Sequence, residues 1–381
     1  MQRILFFISF GITLLAAKAQ EYEYRIGKQT YKVDSILQKI YAYEKIGVKL
    51  TGSTEMDSAT QWLATKYVAL GYSPQIDTFT FGSLTSYNVM VEKPGSESGK
   101  WIVVGAHFDS APGSPGANDN GSGVIATIEI ARIIKDIDTR IGVRIINFGA
   151  EEQGYYGSIH YVNNVLDLSE EIQLMLNLDQ LGGSKGLDNS RIVCERDEDD
   201  NPSNNNALSW LKNDTLARLM SIYSDLTPIL GKVERSDYES FEDKGFVVVG
   251  LYQESNYPQY HSSEDKTENM DIAATTEVIK GAIAAVLYFA RIDIILDTDD
   301  LDQEIVQITP NPTSVSFRVH TANLKAHKIL LTNALGQVVL AQNVTGEEVI
   351  YVANLAEGLY SVSISSDSGA FMKHSKLIIA R

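Results

Sequence analysis

Six side chains, His107, Asp119, Glu151, Glu152, Asp179 and His261, stand where apolar runs give way to polar ones. "WIVVGA" ends in His107-Phe108-Asp109, "VRIINFGA" in the adjacent pair Glu151-Glu152, and "IQLMLNL" in Asp179. "GANDNGSG" carries Asp119 and "YPQYHSSED" carries His261. An isolated Glu-Glu pair is ordinarily a solvated loop, because carboxylates are mostly exposed. Gathered with two imidazoles, the same carboxylates become a nitrogen and oxygen donor set that suits zinc. Carboxylates crowded together without a cation repel one another, so a dinuclear centre makes physical sense of the cluster. The scattered spacing and the lack of thiolates set aside a small structural zinc module. Residues i and i+2 of an extended segment share a face. Asp109 is therefore placed to accept the other ring N–H of His107 and fix its tautomer, and Asp265 is expected in a similar relation to His261.

Side chains so far apart in sequence need a layered fold to meet. In open α/β sheets the ligand crevice lies outside the carboxyl ends of the strands, and residues 20–295 alternate helix and strand patterns as such a fold requires. "MDSATQWLATKYVALGY" has apolar residues at helical spacing and Gly71 to stop it. "GSGVIATIEIARIIKD" and the strongly apolar "TTEVIKGAIAAVLYFARI" read as further helices. Strands are predicted at "SYNVMVEKPG", "KWIVVGAHFDS", "VRIINFG", "IQLMLNLD" and "GFVVVGLY". Their continuous apolar runs suit a sheet covered on both faces. The acidic stretch Arg196–Asn206 lacks the glycine and ligand spacing of a calcium loop and reads as a surface loop.

The N-terminus combines Arg3, an apolar stretch from Ile4 to Ala17 and the triplet Ala17-Lys18-Ala19, a secretory leader cleaved before Gln20. Its apolar run is short for a membrane span. Residues 20–32 read either as part of the domain or as a short propeptide. The lone cysteine, Cys194, can form no intramolecular disulfide and is expected to pack in the core. The formal net charge of −17 speaks against nucleic-acid and anionic-membrane partners. Residues 306–381 hold six Lys/Arg and four Asp/Glu, so the acidity lies in the larger region. The acidic "LDTDDLDQE" between them reads as a linker. The expected organisation is a leader over 1–19, a catalytic domain over 20–295, a linker over 296–305 and a small domain over 306–381. The last alternates apolar and polar residues between frequent turns, the pattern of an all-β sandwich. Its isolated His320, His327 and His374 read as exposed strand residues.

Taken in order over about residues 35–293, "GAHFDS", "GANDNGSG", "FGAEEQGYYGS", "NLDQLG" and "YHSSED" resemble the motifs of the secreted zinc aminopeptidases of the bacterial leucyl-aminopeptidase family. The resemblance implies a three-layer α/β/α sandwich around a mixed sheet and two Zn2+ per chain. His107 and Asp179 would hold one ion, Glu152 and His261 the other, and Asp119 would bridge them, with a cis peptide at Asp119–Asn120. Glu151, left without a metal, would take the proton from water whose pKa zinc has lowered. Peptides shortened from their N-termini outside the cell would be the substrates. One departure is Tyr238, where the family usually has His after Ser-Asp, so substrate contacts near Ser236–Phe241 are not carried over. His160 has no place in the pattern and reads as structural. Residues 306–381 resemble the sorting domain of type IX secretion through "PNPTSVSF", "NALGQVV", "LAEGLYSVSI" and "KLIIAR". That implies handling by the type IX machinery, export through the periplasm and outer membrane, and release or surface attachment. A carbohydrate-binding β-domain is the other reading, but no exposed aromatic row favours it. Rival functions for the larger region are a glutaminyl cyclase, usually with one zinc, a carboxypeptidase or dipeptidase of the same fold, and a metal-free binding protein. "NDNGSG" argues against the cyclase, and the full set of ligand candidates argues against the binding protein.

Overall fold

The buried apolar runs form the middle of an eight-stranded sheet. Its strands are β1 (Gln75–Phe81), β2 (Leu84–Lys93), β3 (Lys100–His107), β4 (Gly142–Phe148), β5 (Glu171–Asp179), β6 (Arg191–Arg196), β7 (Thr227–Lys232) and β8 (Val248–Gln253). They are ordered β1-β2-β4-β3-β5-β8-β6-β7. Parallel pairing joins β4, β3, β5 and β8, while β2 meets β4 and β6 meets β8 in antiparallel fashion, so the sheet is mixed. Every residue of β4 is buried, as expected of a central strand covered on both faces. The computed structural model describes residues 22–198, 205–292, 307–320, 327–333, 337–344, 349–366 and 371–380. The leader, the acidic linker and most of the Arg196–Asn206 stretch lie outside them.

Helices α1 (residues 22–30), α2 (Ile36–Glu44), α3 (Thr54–Ala69), α4 (Gly121–Ile134), α5 (Tyr156–His160), α6 (Asn206–Tyr223), α7 (Tyr238–Glu242) and α8 (Ile272–Phe289) accompany the sheet. Side-chain caps start three of them. Ser53 accepts from Met56 N, Asn120 from Gly123 N and Asp271 from Ala274 N, each satisfying an orphan amide. The α3 pattern stops at Gly71, whose φ of 92° is left-handed. β1, β6 and β7 lack the long apolar runs of the central strands, and their half-exposed positions explain why periodicity does not mark them. Cys194 is buried in the core, among Ile192, Leu216 and Leu251.

The chain divides near residue 294 into two compact units. The second contains a three-stranded and a four-stranded antiparallel sheet, ordered β13-β10-β9 and β12-β11-β14-β15. These strands are β9 (Gln307–Thr309), β10 (Ser316–His320), β11 (His327–Thr332), β12 (Val338–Val344), β13 (Val349–Tyr351), β14 (Gly358–Ser366) and β15 (Phe371–Ile379). Phe317, Ile350, Ile329, Val362 and Leu377, drawn from both sheets, form one buried core. His320, His327 and His374 lie in strands, with side chains outside the described set.

Candidate metal centre

Three adjacent parallel strands end at the same edge of the sheet. His107 closes β3, Asp179 closes β5, and the Glu151-Glu152 turn follows β4. Asp119 sits just before α4, across the Asp119–Asn120 peptide, which is cis. Gly123 explains how α4 comes so close to β5: a Cβ there would lie 2.4 Å from the Leu178 carbonyl oxygen. His261 arrives on the loop after β8 with a left-handed φ of 52°.

The pocket gathers all six candidates. His107 Nε2 lies 3.1 Å from Asp119 Oδ1, 3.4 Å from Asp179 Oδ1 and 3.9 Å from Glu151 Oε2. His261 Nε2 lies 3.2 Å from Asp119 Oδ2 and 2.9 Å from Glu152 Oε2. Asp119 thus offers one oxygen to each imidazole. His107, Asp119 and Asp179 are buried, whereas the His261 side chain is 40% exposed, so the pocket opens on that side.

The donor set fits divalent cations. Tetrahedral bonds of about 2.0–2.2 Å put neighbouring donor atoms about 3.3 Å apart, close to the spacings above. Asp119 Oδ2, Glu152 Oε1 and Asp179 Oδ1 are buried and have no hydrogen-bond partner among the described residues. Buried acceptors of this kind normally have a partner. Without a cation, burial first, then Asp179, Asp237 and Asp109, hold the Glu151 carboxyl well above its usual range against the opposing pull of His107. Burial and Asp119 push Glu152 up to about 8. Burial alone would lower His107, but Glu151, Asp179, Asp109 and Asp119 together raise it. A bound cation inverts this local logic.

Asp109 is fully buried below the pocket. Its two oxygens accept the backbone N–H groups of Glu151 at 3.1 Å and Glu152 at 3.2 Å, and Oδ1 lies 3.6 Å from His107 Nδ1. One carboxylate therefore faces the imidazole and fixes the turn that carries both glutamates. The expectation for Asp265 needs correction. Its carboxylate accepts from the backbone of Asn118 and Asp119 at 2.8 and 3.0 Å and from the Tyr257 hydroxyl. It supports the Asp119 segment, because the chain turns between His261 and Asp265. Tyr260 stacks on the His261 ring with centroids 3.6 Å apart.

Tyr238 does not enter the pocket. It is buried, donates to Glu195 Oε2 at 3.0 Å and accepts from Glu234 N. Ser236, two residues earlier, donates to Asp179 Oδ2 at 2.8 Å and accepts from Asn177 at the same distance. Sequence reasoning missed the Asn177–Ser236–Asp179 relay, whose only signal is that Asn177 and Asp179 share a strand face. His160 lies apart from the cluster, paired with Asp77 at 3.1 Å and stacked on Phe79.

A mixed sheet accompanied by helices, with a buried His/Asp/Glu cluster at its strand ends, defines an α/β fold with a candidate metal pocket. The chain belongs to peptidase family M28, whose model matches residues 88–286. Residues 307–380 match the secretion system C-terminal sorting domain. Aminopeptidase YwaD of Bacillus subtilis is 33% identical over 198 residues, which cover 50% of this chain and 42% of that protein. The chain spans about half the length of the curated relatives it matches. Among solved structures, the zinc aminopeptidase BSAP from Bacillus subtilis superposes with a TM-score of 0.59 at 19% identity, over 67% of this chain and 95% of that one. A glutaminyl cyclase from Bacteroides thetaiotaomicron, bound to N-acetylhistamine, gives 0.57 at 19%, over 66% and 96%. At such identities the likeness is one of fold.

Proposed function

We propose that the protein is an extracellular aminopeptidase with two zinc ions per chain. The observation that carries this reading is Asp119, whose two oxygens lie 3.1 and 3.2 Å from the Nε2 atoms of His107 and His261. A carboxylate shared between two imidazoles is the arrangement a two-cation centre needs. His107 and Asp179 would hold one ion, His261 and Glu152 the other, and Asp119 would bridge. When bound, zinc supplies Lewis acidity toward a peptide carbonyl and toward water. Glu151 takes the proton of the attacking water and delivers it to the departing amine nitrogen, as a general base and then a general acid. Asp109 keeps Glu151 in place through its backbone N–H and stands behind His107.

Family membership and the aminopeptidase YwaD match support the peptide substrate. The sorting-domain match supports export by type IX secretion, with the C-terminal unit engaging the machinery; the leader would be removed before Gln20. The fold neighbour keeps a glutaminyl cyclase as the second reading. Metal analysis of the mature protein, combined with hydrolysis of aminoacyl anilides, decides between them. Two zinc ions per chain with anilide turnover is the expected result. One zinc with cyclisation of N-terminal glutamine would overturn the aminopeptidase reading.

A further inference from the structure

Lys49 is fully buried, a rare state for lysine. Its ammonium group donates to two backbone carbonyls, Gly47 O at 2.9 Å and Pro115 O, and sits 4.5 Å over the Tyr43 ring centroid. The Tyr43 hydroxyl in turn donates to Phe108 O. The Lys49 main chain is tied to the same loop: its N–H donates to Ser110 Oγ at 3.0 Å, and its carbonyl accepts from Ser110 N at 3.2 Å. Ser110 Oγ closes the circuit by donating to Ser114 O at 2.9 Å. Lys49 and Tyr43 therefore grip both arms of the loop that leaves His107 and returns at Asp119.

The return arm has little freedom. Gly116 has a φ of 63°, and a Cβ on it would lie 2.6 Å from Asp119 O and 2.8 Å from the Ser110 side chain. A displaced Pro115 carbonyl would accordingly carry Asp119 with it. On the far side, Asp265 accepts the N–H groups of Asn118 and Asp119. The segment from Pro115 to Asp119 is held between an ammonium on a carbonyl and a carboxylate on two amides. A neutral side chain of the same length would fill the space without making the first of these bonds.

We infer that Lys49 is a positioning residue for the metal pocket, its buried ammonium fixing the loop between His107 and Asp119 and so the separation of those two donors. This rests on the reading of both residues as metal ligands. Burial pushes Lys49 down to about 8, opposed by Asp265, Glu44 and Asp109, so the group is charged at neutral pH.

The test uses full-length mature protein at pH 7 with zinc and, separately, cobalt(II). Partners outside the direct ligands typically change metal affinity about 10–100-fold. Lys49→Met should weaken zinc binding by about tenfold or more in chelator competition and shift the visible absorption of the cobalt protein. At saturating zinc, kcat should fall while KM for an aminoacyl anilide stays near wild type. Tyr43→Phe, which removes one hydroxyl, should move the same readouts in the same direction by less. Folded Lys49→Met with wild-type zinc affinity and cobalt spectrum overturns the inference. If that variant does not fold, Lys49→Gln takes its place, and wild-type zinc affinity and cobalt spectrum there overturns the inference. A wild-type protein that retains no zinc overturns the parent reading and this inference together, a result distinct from either variant outcome.

Discussion

Replacing Glu151 by Gln removes a proton acceptor without changing the volume of the side chain. Glu151 Oε2 lies 3.9 Å from His107 Nε2, the longest of the contacts around that nitrogen, and the backbone N–H of the residue is held independently by Asp109. The substitution should therefore leave the turn and the metal donors in place. A positioned general base contributes about 10²–10⁴ in rate, equivalent to about 3–5 kcal/mol of barrier. Glu151→Gln is expected to lower kcat on aminoacyl anilides about 100- to 10,000-fold, with zinc content unchanged and KM near wild type. The acidic limb of the kcat/KM profile should disappear from the residual activity, because the group that titrates there is gone. Full turnover by a zinc-replete variant would refute the assignment of the base. Loss of zinc in parallel with activity would make Glu151 a ligand instead.

Removing the proposed cations should also be visible in stability. Ligand held at about a thousand times its Kd stabilises the native state by about 4 kcal/mol, and a domain of this size shifts by about 2–4 °C per kcal/mol. Chelation should then lower Tm by about 8–16 °C, and an unchanged Tm would mean that the pocket was not loaded. Glu195, buried against the Tyr238 hydroxyl, is raised by burial from 4.5 to about 8. Such a carboxyl is neutral in the fold and ionised in the unfolded chain, so stability present below pH 4.5 is lost as pH rises toward 8. Glu195→Gln should be neutral at pH 4.5 and stabilising by about 3 kcal/mol at pH 7, and equal urea midpoint shifts at both values would contradict this. Ile26 on α1 is fully buried in the main core, and Tyr22 donates to the Tyr288 carbonyl. Ile26→Ala should cost about 2–5 kcal/mol in urea unfolding, and residues 22–32 should remain in the mature protein. A secreted form that begins after Lys32 with undiminished stability would show a propeptide.

The strands that carry site residues were legible because their central position makes them continuously apolar. Ile102–Val104 and Ile145–Phe148 can only be covered on both faces, and the polar residue that ends such a run must sit at the sheet edge. That logic alone brings His107, Asp179 and the Glu151-Glu152 pair to one place. It failed for β1, β6 and β7, whose mixed burial gives no clear period. It also misassigned Asp265, since proximity in sequence to His261 says nothing about which way a turn directs a carboxylate. Lys49 was beyond sequence reasoning altogether. A lysine before "LTGS" reads as solvated, and only the fold shows it closed over by Tyr43 and Pro115.

The adjacent glutamates pose the remaining question: how neighbours of identical chemistry could take the different roles proposed for them. Ala150 enters the turn with a φ of 57°, and the next two amides both point down onto the oxygens of Asp109. With their backbones pinned to one carboxylate, the two side chains leave in different directions. Glu152 reaches His261 at 2.9 Å, while Glu151 stays 3.9 Å from His107 on the other half of the pocket. The proposed division between ligand and base would therefore be set from below, by a residue that belongs to β3's exit loop and lies 3.6 Å from His107 as well. Asp109→Asn would keep one acceptor and replace the other by an NH2 facing an amide donor. It should disturb both glutamates at once, whereas on the proposed reading Glu151→Gln should disturb only proton transfer. Zinc content separates the two cases: a loss in Asp109→Asn alone is the expected result, and full retention there would mean that the glutamates hold their positions without it.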